Sequence, residues 1–285
     1  MTFELALDAG LRLGESPVWL AAEQRLVFVD IHGQALHWFD PATDKHVIRQ
    51  LDEEIGCVAP ATEGRYIAGL RSGLWLLDQD GGKIRLLSAN PEPNATNRFN
   101  DGRTDPAGRF LAGTIDEPKA GGTAHLYRYD RRGLVALAGG LLTSNGLAFS
   151  PDGRVMYHAD TPRFVVRRYD YDPATGEARN PQIFIQLDPN GTDRGRPDGA
   201  AVDCDGCYWT ALYEGGRVQR YSPEGKLVGE FPVPARKPTM IAFGGAALDM
   251  LYVTTAADPE DAVSGALWAM PAPRPGLSAP LFSCL

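Results

Sequence analysis

Short apolar stretches separated by turns recur along the whole chain. A representative example begins with the apolar segment from Ser144 to Phe149, continues through the turn Pro151-Asp152-Gly153, and ends with a second apolar segment up to Tyr157. Pro and Gly supply the backbone angles that a tight turn between antiparallel strands needs. The pattern therefore predicts a β-hairpin, and no window of the sequence has a convincing helical period.

The hairpin pattern occurs six times. The residue that directly follows each turn marks the repeat: Leu26, Tyr66, Phe110, Val155, Tyr208 and Met250. Successive markers are 40, 44, 45, 53 and 42 residues apart, and a third and a fourth strand follow in each unit. Six units of about four strands, at a period of roughly 40–50 residues, are typical of a β-propeller.

The predicted fold class is therefore all-β, a six-bladed β-propeller with a central channel, formed as one domain by residues 1–285. The alternative is a large β-sandwich, which gives no reason for the turn motif to recur six times. We expect residues 3–7 to pair with the last unit and close the ring. We also expect surface loops over residues 89–97, 173–181 and 188–196.

Polar residues recur at one level of the repeat. Ten or eleven residues before the markers stand Glu15, Gly56, Asn100, Asn145, Asp198 and Thr239. The first strand of a propeller blade lines the channel, so these residues are expected to form a ring at one mouth.

Four of these six residues carry strong oxygen ligands, and converging carboxylates repel each other unless a cation is bound. Oxygen donors suit Ca²⁺, Mg²⁺ or Mn²⁺, which predicts a metal-binding channel. The alternative, that Asn-Gly and Asp-Gly only make tight turns, does not explain four such residues at one register.

Further side chains are expected at the same mouth. Arg98 precedes Asn100 by two residues, so in an extended strand both side chains point the same way. They could hold a hydroxyl-rich or anionic ligand, although Arg98 could equally pair with a surface carboxylate. The second strands run back to this mouth and are expected to place there Asp116, Glu117, His158, Asp160, Tyr213 and Glu214.

Composition narrows the class of protein. A net charge of −8 argues against a nucleic-acid surface and permits a cation site. No apolar run has the length to span a bilayer, and the first residues lack the blocks of a signal peptide, so we expect a cytoplasmic protein with no membrane partner. The four cysteines include the pair Cys204 and Cys207, which we interpret as incidental to a turn rather than a zinc or redox site.

Five stretches in the same order along the chain carry a family resemblance. They are GESPVW (14–19), RFNDGR (98–103), DPAGR (105–109), SNGLAFSPDG (144–153) and RPDGA (196–200). Together they resemble the senescence-marker-protein/gluconolactonase family, the regucalcin-like proteins that include bacterial sugar lactonases, and the resemblance extends over essentially the whole chain. It implies a six-bladed propeller with one divalent metal ion in its channel.

The resemblance also implies roles for particular residues. Glu15, Asn145 and Asp198 match the metal ligands of the family, and the position of Asp198 is also its proposed general base. Arg98 and Asn100 match substrate-contacting positions. A further acidic substrate contact lies in the loop after the second strand of the third blade, where this chain offers Asp116 and Glu117.

The function implied is a metal-dependent lactonase that opens sugar-acid lactones, with Ca²⁺, Zn²⁺, Mn²⁺, Mg²⁺ or Fe²⁺ as cofactor. Gluconolactone, pentonolactones and modified lactones all remain candidate substrates, and the oligomeric state is left open. Two alternatives belong to other classes. One is a hydrolase of organophosphates or aryl esters on a related metal-bearing propeller, and the other is a non-catalytic calcium-binding propeller.

Overall fold

Antiparallel β-sheets make up the regular structure of the protein. The computed structural model describes residues 1–191 and 194–283, which contain 24 strands arranged in six four-stranded sheets. Each sheet is one blade, with its strands in consecutive order from the channel outwards. The predicted six-bladed β-propeller is therefore confirmed.

The strands fall into blades as follows. After β1 (Glu4–Leu7), blade one has β2 (Gly14–Leu20), β3 (Arg25–Asp30), β4 (Ala35–Asp40) and β5 (Lys45–Gln50); blade two has β6 (Ile55–Pro60), β7 (Tyr66–Leu70), β8 (Gly73–Leu77) and β9 (Lys83–Ala89); blade three has β10 (Asn97–Thr104), β11 (Phe110–Asp116), β12 (Ala124–Asp130) and β13 (Gly133–Leu141). Blade four has β14 (Ser144–Phe149), β15 (Val155–Asp160), β16 (Val165–Asp172) and β17 (Glu177–Gln186); blade five has β18 (Arg196–Val202), β19 (Tyr208–Tyr213), β20 (Arg217–Tyr221) and β21 (Leu227–Pro232); blade six has β22 (Pro238–Gly244), β23 (Met250–Thr255) and β24 (Leu267–Pro271).

The ring is closed by the N-terminal strand. Strand β1 is the outermost strand of blade six and pairs antiparallel with β24, where Leu5 lies opposite Trp268. This pairing was predicted for residues 3–7. Because the two ends of the ring share one sheet, the last blade contains strands from both ends of the chain.

The turn markers predicted the second strands well. Strands β7, β11, β15, β19 and β23 begin at their markers, and β3 begins one residue before Leu26. The prediction of a loop over residues 173–181 is wrong, because β17 already begins at Glu177. A tight turn closes there, in which the N–H of Gly176 donates to the carbonyl of Asp172 over 2.7 Å. The predicted loop over residues 188–196 includes Thr192 and Asp193, which lie outside the described residues.

Apolar side chains pack between the blades rather than around one central point. Six buried clusters each join two neighbouring blades. The cluster between blades two and three contains Ile67 and Phe110 together with Phe282 from the C-terminal part of the chain. Burial of apolar area at each blade interface is therefore what holds the ring together.

The last part of the chain crosses the mouth of the channel at the turn ends of the innermost strands. We call residues 275–283 the C-terminal strap. At one end the N–H of Gly276 donates to the carbonyl of Leu248 over 2.8 Å, and at the other the N–H of Phe282 donates to the carbonyl of Pro60 over 2.9 Å. The strap thus connects blade six to blade two across the channel axis.

Helical structure is limited to two single 3₁₀ turns, Thr62–Gly64 and Thr161–Arg163, in the part of the chain that the structure describes. Neither of these turns, nor any other described segment, forms a helix with the length and apolar character that crossing a bilayer requires.

Candidate active site

The innermost strand of every blade breaks its pairing at the same level. The register shifts lie between Glu15 and Val18, Ile55 and Cys57, Phe99 and Gly102, Asn145 and Ala148, Pro197 and Ala200, and Pro238 and Ile241. Such a β-bulge redirects side chains out of the ladder and is common beside active sites. The bulges therefore form a ring at the mouth opposite the C-terminal strap.

Close packing at this level explains one Asn-Gly pair. Gly146, which follows Asn145, has a φ of +59°, and a Cβ there would lie 2.6 Å from the hydroxyl of Tyr208 and 3.0 Å from the carbonyl of Asp198. Only glycine is suited both to the angle and to the space. The Asn-Gly sequence thus makes the bulge and brings Asn145 next to blade five.

The predicted metal ligands lie together at this ring, although they are far apart in sequence. Asn145 Nδ2 donates to Asp198 Oδ1 over 2.5 Å, and Glu15 Oε2 accepts from the N–H of Ser16 over 3.1 Å. All three predicted ligands are buried. Repulsion from Asp198 contributes to the raised pKa of Glu15, so the two carboxylates share one environment.

A chain of hydrogen bonds connects the predicted substrate residues to these ligands. Arg98 Nη1 donates to Asn100 Oδ1 over 2.8 Å, and Asn100 Nδ2 donates to Asn145 Oδ1, also over 2.8 Å. Asn145 Nδ2 donates to Thr161 Oγ1 over 2.9 Å as well as to Asp198. Each amide therefore has partners on both of its ends, which fixes its orientation between a guanidinium and a carboxylate.

Negative charge is concentrated at this mouth. Burial, followed by repulsion from Asp198 and Asp101, raises the pKa of Glu15 well above its ordinary value. Burial and repulsion from Asp101 likewise raise the pKa of Asp198, while Arg196 and Lys119 act to lower it. Asp101 was not assigned a role from the sequence. Its Oδ2 accepts from the N–H of Leu147 over 2.9 Å, and its buried Oδ1 has no hydrogen-bond partner among residues 1–191 and 194–283.

The free oxygens fit a divalent cation. Within the described chain, Glu15 Oε1 and Asp198 Oδ2 accept no hydrogen bond, and Asn145 Oδ1 has a second lone pair beyond the one that Asn100 uses. Three converging oxygens with excess negative charge suit a hard divalent ion. The described residues contain no group of three or more His, Cys, Asp or Glu side chains arranged for a metal. The predicted set has only two such side chains, because its third ligand is the amide of Asn145.

The metal-free protein is expected to lose stability as the pH rises. Folding raises the pKa of Glu15 and Asp198 above their ordinary values of 4.5 and 3.8, so the folded state holds these protons more tightly than the unfolded state does. Their contribution to stability is therefore complete below the ordinary values and is lost as the pH rises through the folded-state values. Thermal unfolding in a chelator should show a melting temperature that falls as the pH rises above these ordinary values.

Glu15→Gln is the matched control, because the amide keeps the shape of the side chain and removes its charge. Its melting temperature in chelator should fall less than that of the wild type over the same pH range. Equal falls in the two proteins would contradict the idea that carboxylate repulsion at the ring destabilises the metal-free state.

An ion-pair network flanks Arg98 at the entrance. Its Nε lies 3.8 Å from Glu54 Oε2 and 3.9 Å from Glu117 Oε1. Arg71 binds the same two carboxylates, with Nε 3.0 Å from Glu54 Oε2 and Nη2 2.7 Å from Glu117 Oε1. Sequence reasoning missed Arg71 and Glu54, because neither belongs to a repeated position. The only signal was the acidic run from Asp52 to Glu54 just before β6.

The two acids predicted as alternatives for a substrate contact have different surroundings. Asp116 is buried, and its Oδ2 accepts from the N–H groups of Gly121 and Gly122, each over 2.9 Å, which holds the loop after β11 in place. Glu117 is partly exposed and bound by Arg71. Both acids lie beside the mouth, and a substrate contact by either of them stays a prediction.

The other expected entrance residues divide into two groups. Tyr213 and Glu214 flank Arg196, whose guanidinium carbon lies 4.9 Å from the ring centroid of Tyr213 and whose Nη2 lies 2.9 Å from Glu214 Oε2. His158 and Asp160 lie at the same end of blade four, beside Ser144 and Asn145, but both are fully buried. His158 Nε2 lies 2.7 Å from the hydroxyl of Ser144, and Asp160 accepts backbone N–H groups. They support the start of β14, the strand that carries Asn145.

The described cysteines are not paired in disulfides. Cys204 is exposed and Cys207 is buried in the turn between β18 and β19, and Cys57 is buried beside the channel. Cys284 lies outside the described residues.

Comparisons with known proteins agree with this architecture. A family model described as "SMP-30/Gluconolactonase/LRE-like region" matches residues 13–257. A 6-deoxy-6-sulfogluconolactonase of Pseudomonas putida is 43% identical over 279 residues, which cover 95% of each chain. A pentonolactonase of Haloferax volcanii is 37% identical over 266 residues, which cover 93% of this chain and 89% of the relative. The crystal structure of a calcium-binding protein, regucalcin, from Agrobacterium tumefaciens matches with a TM-score of 0.92 at 26% identity, over 99% of this chain and 98% of the other.

Proposed function

The chain belongs to the SMP-30/gluconolactonase family, a lactone-hydrolysing family, and we propose that it is a metal-dependent enzyme that opens sugar-acid lactones to aldonic acids. The observation that supports metal dependence most directly is the group of unshared oxygens of Glu15, Asn145 and Asp198 at one mouth of the channel. The relatives include enzymes for a sulfonated gluconolactone and for pentonolactones, so both kinds of lactone are candidate substrates.

Glu15, Asn145 and Asp198 would hold the ion. The chemistry that a divalent ion supplies here when bound is polarisation of the lactone carbonyl and stabilisation of the developing oxyanion. Three oxygen ligands favour Ca²⁺, Mg²⁺ or Mn²⁺, while Zn²⁺ and Fe²⁺ stay open as alternatives. The calcium-binding regucalcin of similar structure supports a divalent ion of this type.

Asp198 is proposed as the general base. Its Oδ1 is held by Asn145, and its Oδ2, which would also contact the ion, has a further lone pair that can take a proton. Asp198 would accept a proton from the attacking water as the new C–O bond forms at the carbonyl carbon. The ring C–O bond then breaks, and the same proton passes to the leaving ring oxygen. The product is an open-chain hydroxy acid, which releases its carboxyl proton to water.

Arg98 and Asn100 are proposed to orient the hydroxyl groups of the sugar. Arg98 Nη1 donates to Asn100. Arg98 Nη2 makes no hydrogen bond in the described chain, and the protein does not fully enclose it. That nitrogen is therefore available to a ligand at the mouth. Arg98 is itself buried, so a hydrogen bond from it would be shielded from water.

Replacing Arg98 by Met should raise KM for a sugar lactone roughly ten- to hundredfold, the effect of losing a hydrogen bond from a charged donor, with a smaller change in kcat. Initial rates over a range of lactone concentrations would measure both constants. Arg132→Met is a suitable control, because Arg132 is exposed in the turn after β12, where it pairs with Asp130. A loss confined to kcat, with KM unchanged, would contradict the proposed binding role.

The function as a whole can be tested by metal exchange. Enzyme treated with a chelator and reloaded with single divalent ions would be assayed in a pH-stat against gluconolactone, a pentonolactone and a sulfonated gluconolactone. We expect chelation to remove most of the activity and at least one ion to restore it. Full activity in the chelated enzyme would contradict metal dependence.

The two alternative functions predict other results in the same assay. An aryl-ester or organophosphate hydrolase would turn over such a substrate faster than any of the lactones. A calcium-binding propeller without catalysis would bind Ca²⁺ and hydrolyse none of the substrates. The cytoplasmic location and the absence of nucleic-acid and membrane partners stay predictions from the sequence.

A further inference from the structure

A cavity occupies the end of the channel opposite the candidate active site. Its volume is about 740 Å³, and it is bounded by the turn ends of the innermost strands and by strap residues 277–281. Cavities of roughly 300–1,000 Å³ are typical of small-molecule sites. None of the residues proposed for lactone hydrolysis lines this cavity. It is therefore separate from the candidate active site.

The walls of the cavity are largely apolar. Trp19, Phe149 and Phe243 contribute aromatic surface, and Leu248 and Leu277 contribute aliphatic surface. Charged side chains that line it at the outer edge come from the turns, such as Glu23 and Arg65, which are not buried. An apolar wall of this kind suits the hydrocarbon part of a ligand.

One cationic side chain lies deeper in the channel. Arg103, on β10, donates from Nε to the carbonyl of Leu147 over 2.8 Å and from Nη2 to the carbonyl of Ala200 over 2.6 Å. Its Nη1 makes no hydrogen bond to any described residue, and the protein does not fully enclose it. Because Arg103 lines the cavity, Nη1 is a donor that a ligand there can reach.

Arg103 lies between the two ends of the channel. Burial lowers the pKa of Arg103, and attraction to Asp101, two residues earlier, opposes this effect. Asp101 in turn acts on Glu15 and Asp198 at the other mouth. Arg103 therefore lies between the active-site carboxylates and the cavity. A ligand bound from the strap side would meet the guanidinium before it could meet any carboxylate of the ring.

The strap adds further hydrogen-bonding groups. Its ends are fixed at Gly276 and Phe282, but residues 277–281 make no backbone–backbone hydrogen bond to any other described part of the chain. Unpaired N–H groups next to a cavity have to be satisfied by water or by a ligand. The cavity thus has apolar walls, a cationic inner end and the strap along one side.

We propose that this cavity is a binding site for a small organic anion with an apolar body, of the medium-chain carboxylate class, and that its carboxylate binds Arg103. A carboxylate accepts charge-assisted hydrogen bonds from a guanidinium, and the alkyl chain would cover the aromatic wall. The site is independent of the proposed lactonase function, since it uses none of the same residues.

Titration calorimetry with the metal-loaded, full-length protein tests this. Octanoate is the probe, and 1-octanol is the uncharged analogue of the same chain length. We expect one octanoate per chain to bind at least tenfold more tightly than octanol, and Arg103→Met to remove that preference. Equal affinity of the two probes in the wild type, or no binding of octanoate, would overturn the proposal.

A second variant is needed because Arg103→Met could also impair folding, since Arg103 bonds to carbonyls in blades four and five. Leu277→Trp places a larger side chain on the strap, where Leu277 is 37% exposed and lines the cavity. It should abolish octanoate binding and leave lactone hydrolysis unchanged. Competitive inhibition of lactone hydrolysis by octanoate that persists in Leu277→Trp would place the anion in the active site and refute the proposal.

Discussion

Asp198→Asn is expected to lower kcat for sugar-lactone hydrolysis by roughly two to four orders of magnitude, the usual contribution of a general base. The amide has the shape of the carboxylate and can still accept from Asn145 Nδ2 through its oxygen, so the hydrogen-bond chain from Arg98 is retained. It cannot take a proton from the attacking water. Stopped-time or pH-stat rates at saturating lactone, together with the melting temperature, would separate lost chemistry from lost folding.

Metal content has to be measured in the same experiment, because Asp198 is also a proposed ligand. Rates should be recorded in a large excess of the activating ion, with the bound metal determined after gel filtration. Glu15→Gln is the matched comparison, since it removes a ligand carboxylate but not the proposed base. Once both variants are metal-loaded, Asp198→Asn should be the slower of the two. A metal-loaded Asp198→Asn enzyme with a near-normal rate would disprove the assignment of the base.

Phe282→Ala is expected to lower the free energy of unfolding by about 3–5 kcal/mol, the usual cost of deleting a fully buried aromatic ring. The side chain of Phe282 has no exposed surface and packs with Ile67 and Phe110 between blades two and three. Typical proteins have only about 5–15 kcal/mol of stability, so a loss of this size would be a large fraction of the total. Urea unfolding followed by tryptophan fluorescence would measure it.

The neighbouring residue provides the control. Leu281 is 52% exposed on the same strap, so Leu281→Ala should change stability by no more than about 0.5 kcal/mol. Lactone hydrolysis at low temperature should be similar in both variants, because the strap lies at the mouth away from the catalytic residues. Similar stabilities of Phe282→Ala and Leu281→Ala would mean that the strap does not hold blades two and three together.

The repeat made most of the fold predictable. A turn followed by an apolar strand is a local signal, and the markers Tyr66, Phe110 and Val155 are the first residues of their strands. Ring closure by residues 3–7 was predicted as well, and the structure shows β1 as the fourth strand of the last blade. The loop error at residues 173–181 arose because polar residues such as Glu177 and Arg179 occupy an exposed outer strand, where neither face needs to be apolar.

The candidate site was only partly predictable. Position in the repeat identified Glu15, Asn145 and Asp198, because one level of every innermost strand faces the channel. It gave no information on the network of Arg71 and Glu54, which depends on loops from different blades. Nor could it show that bulges sit at this level, since a bulge is a property of two paired strands and not of one sequence segment.

The C-terminal strap is a further feature that the sequence repeat could not predict. Phe282 lies beyond the last blade, and its partners are about two hundred residues earlier in the chain. Nothing local distinguishes a buried Phe from an exposed one at such a position. Long-range packing of this type is seen only once the blades are assembled in space.

The closing strand has a practical consequence for anyone who wishes to attach this enzyme to a carrier. Strand β1 runs from Glu4, opposite Ala269, to Leu7, opposite Leu267, so its beginning points towards the face that the strap crosses. Ser283 is bound to the carbonyl of Gly108 on that same face. Linkers that leave the described fold next to Glu4 or Ser283 would thus emerge on the strap side, and a bead, a surface or a second enzyme could be joined there away from the candidate active site.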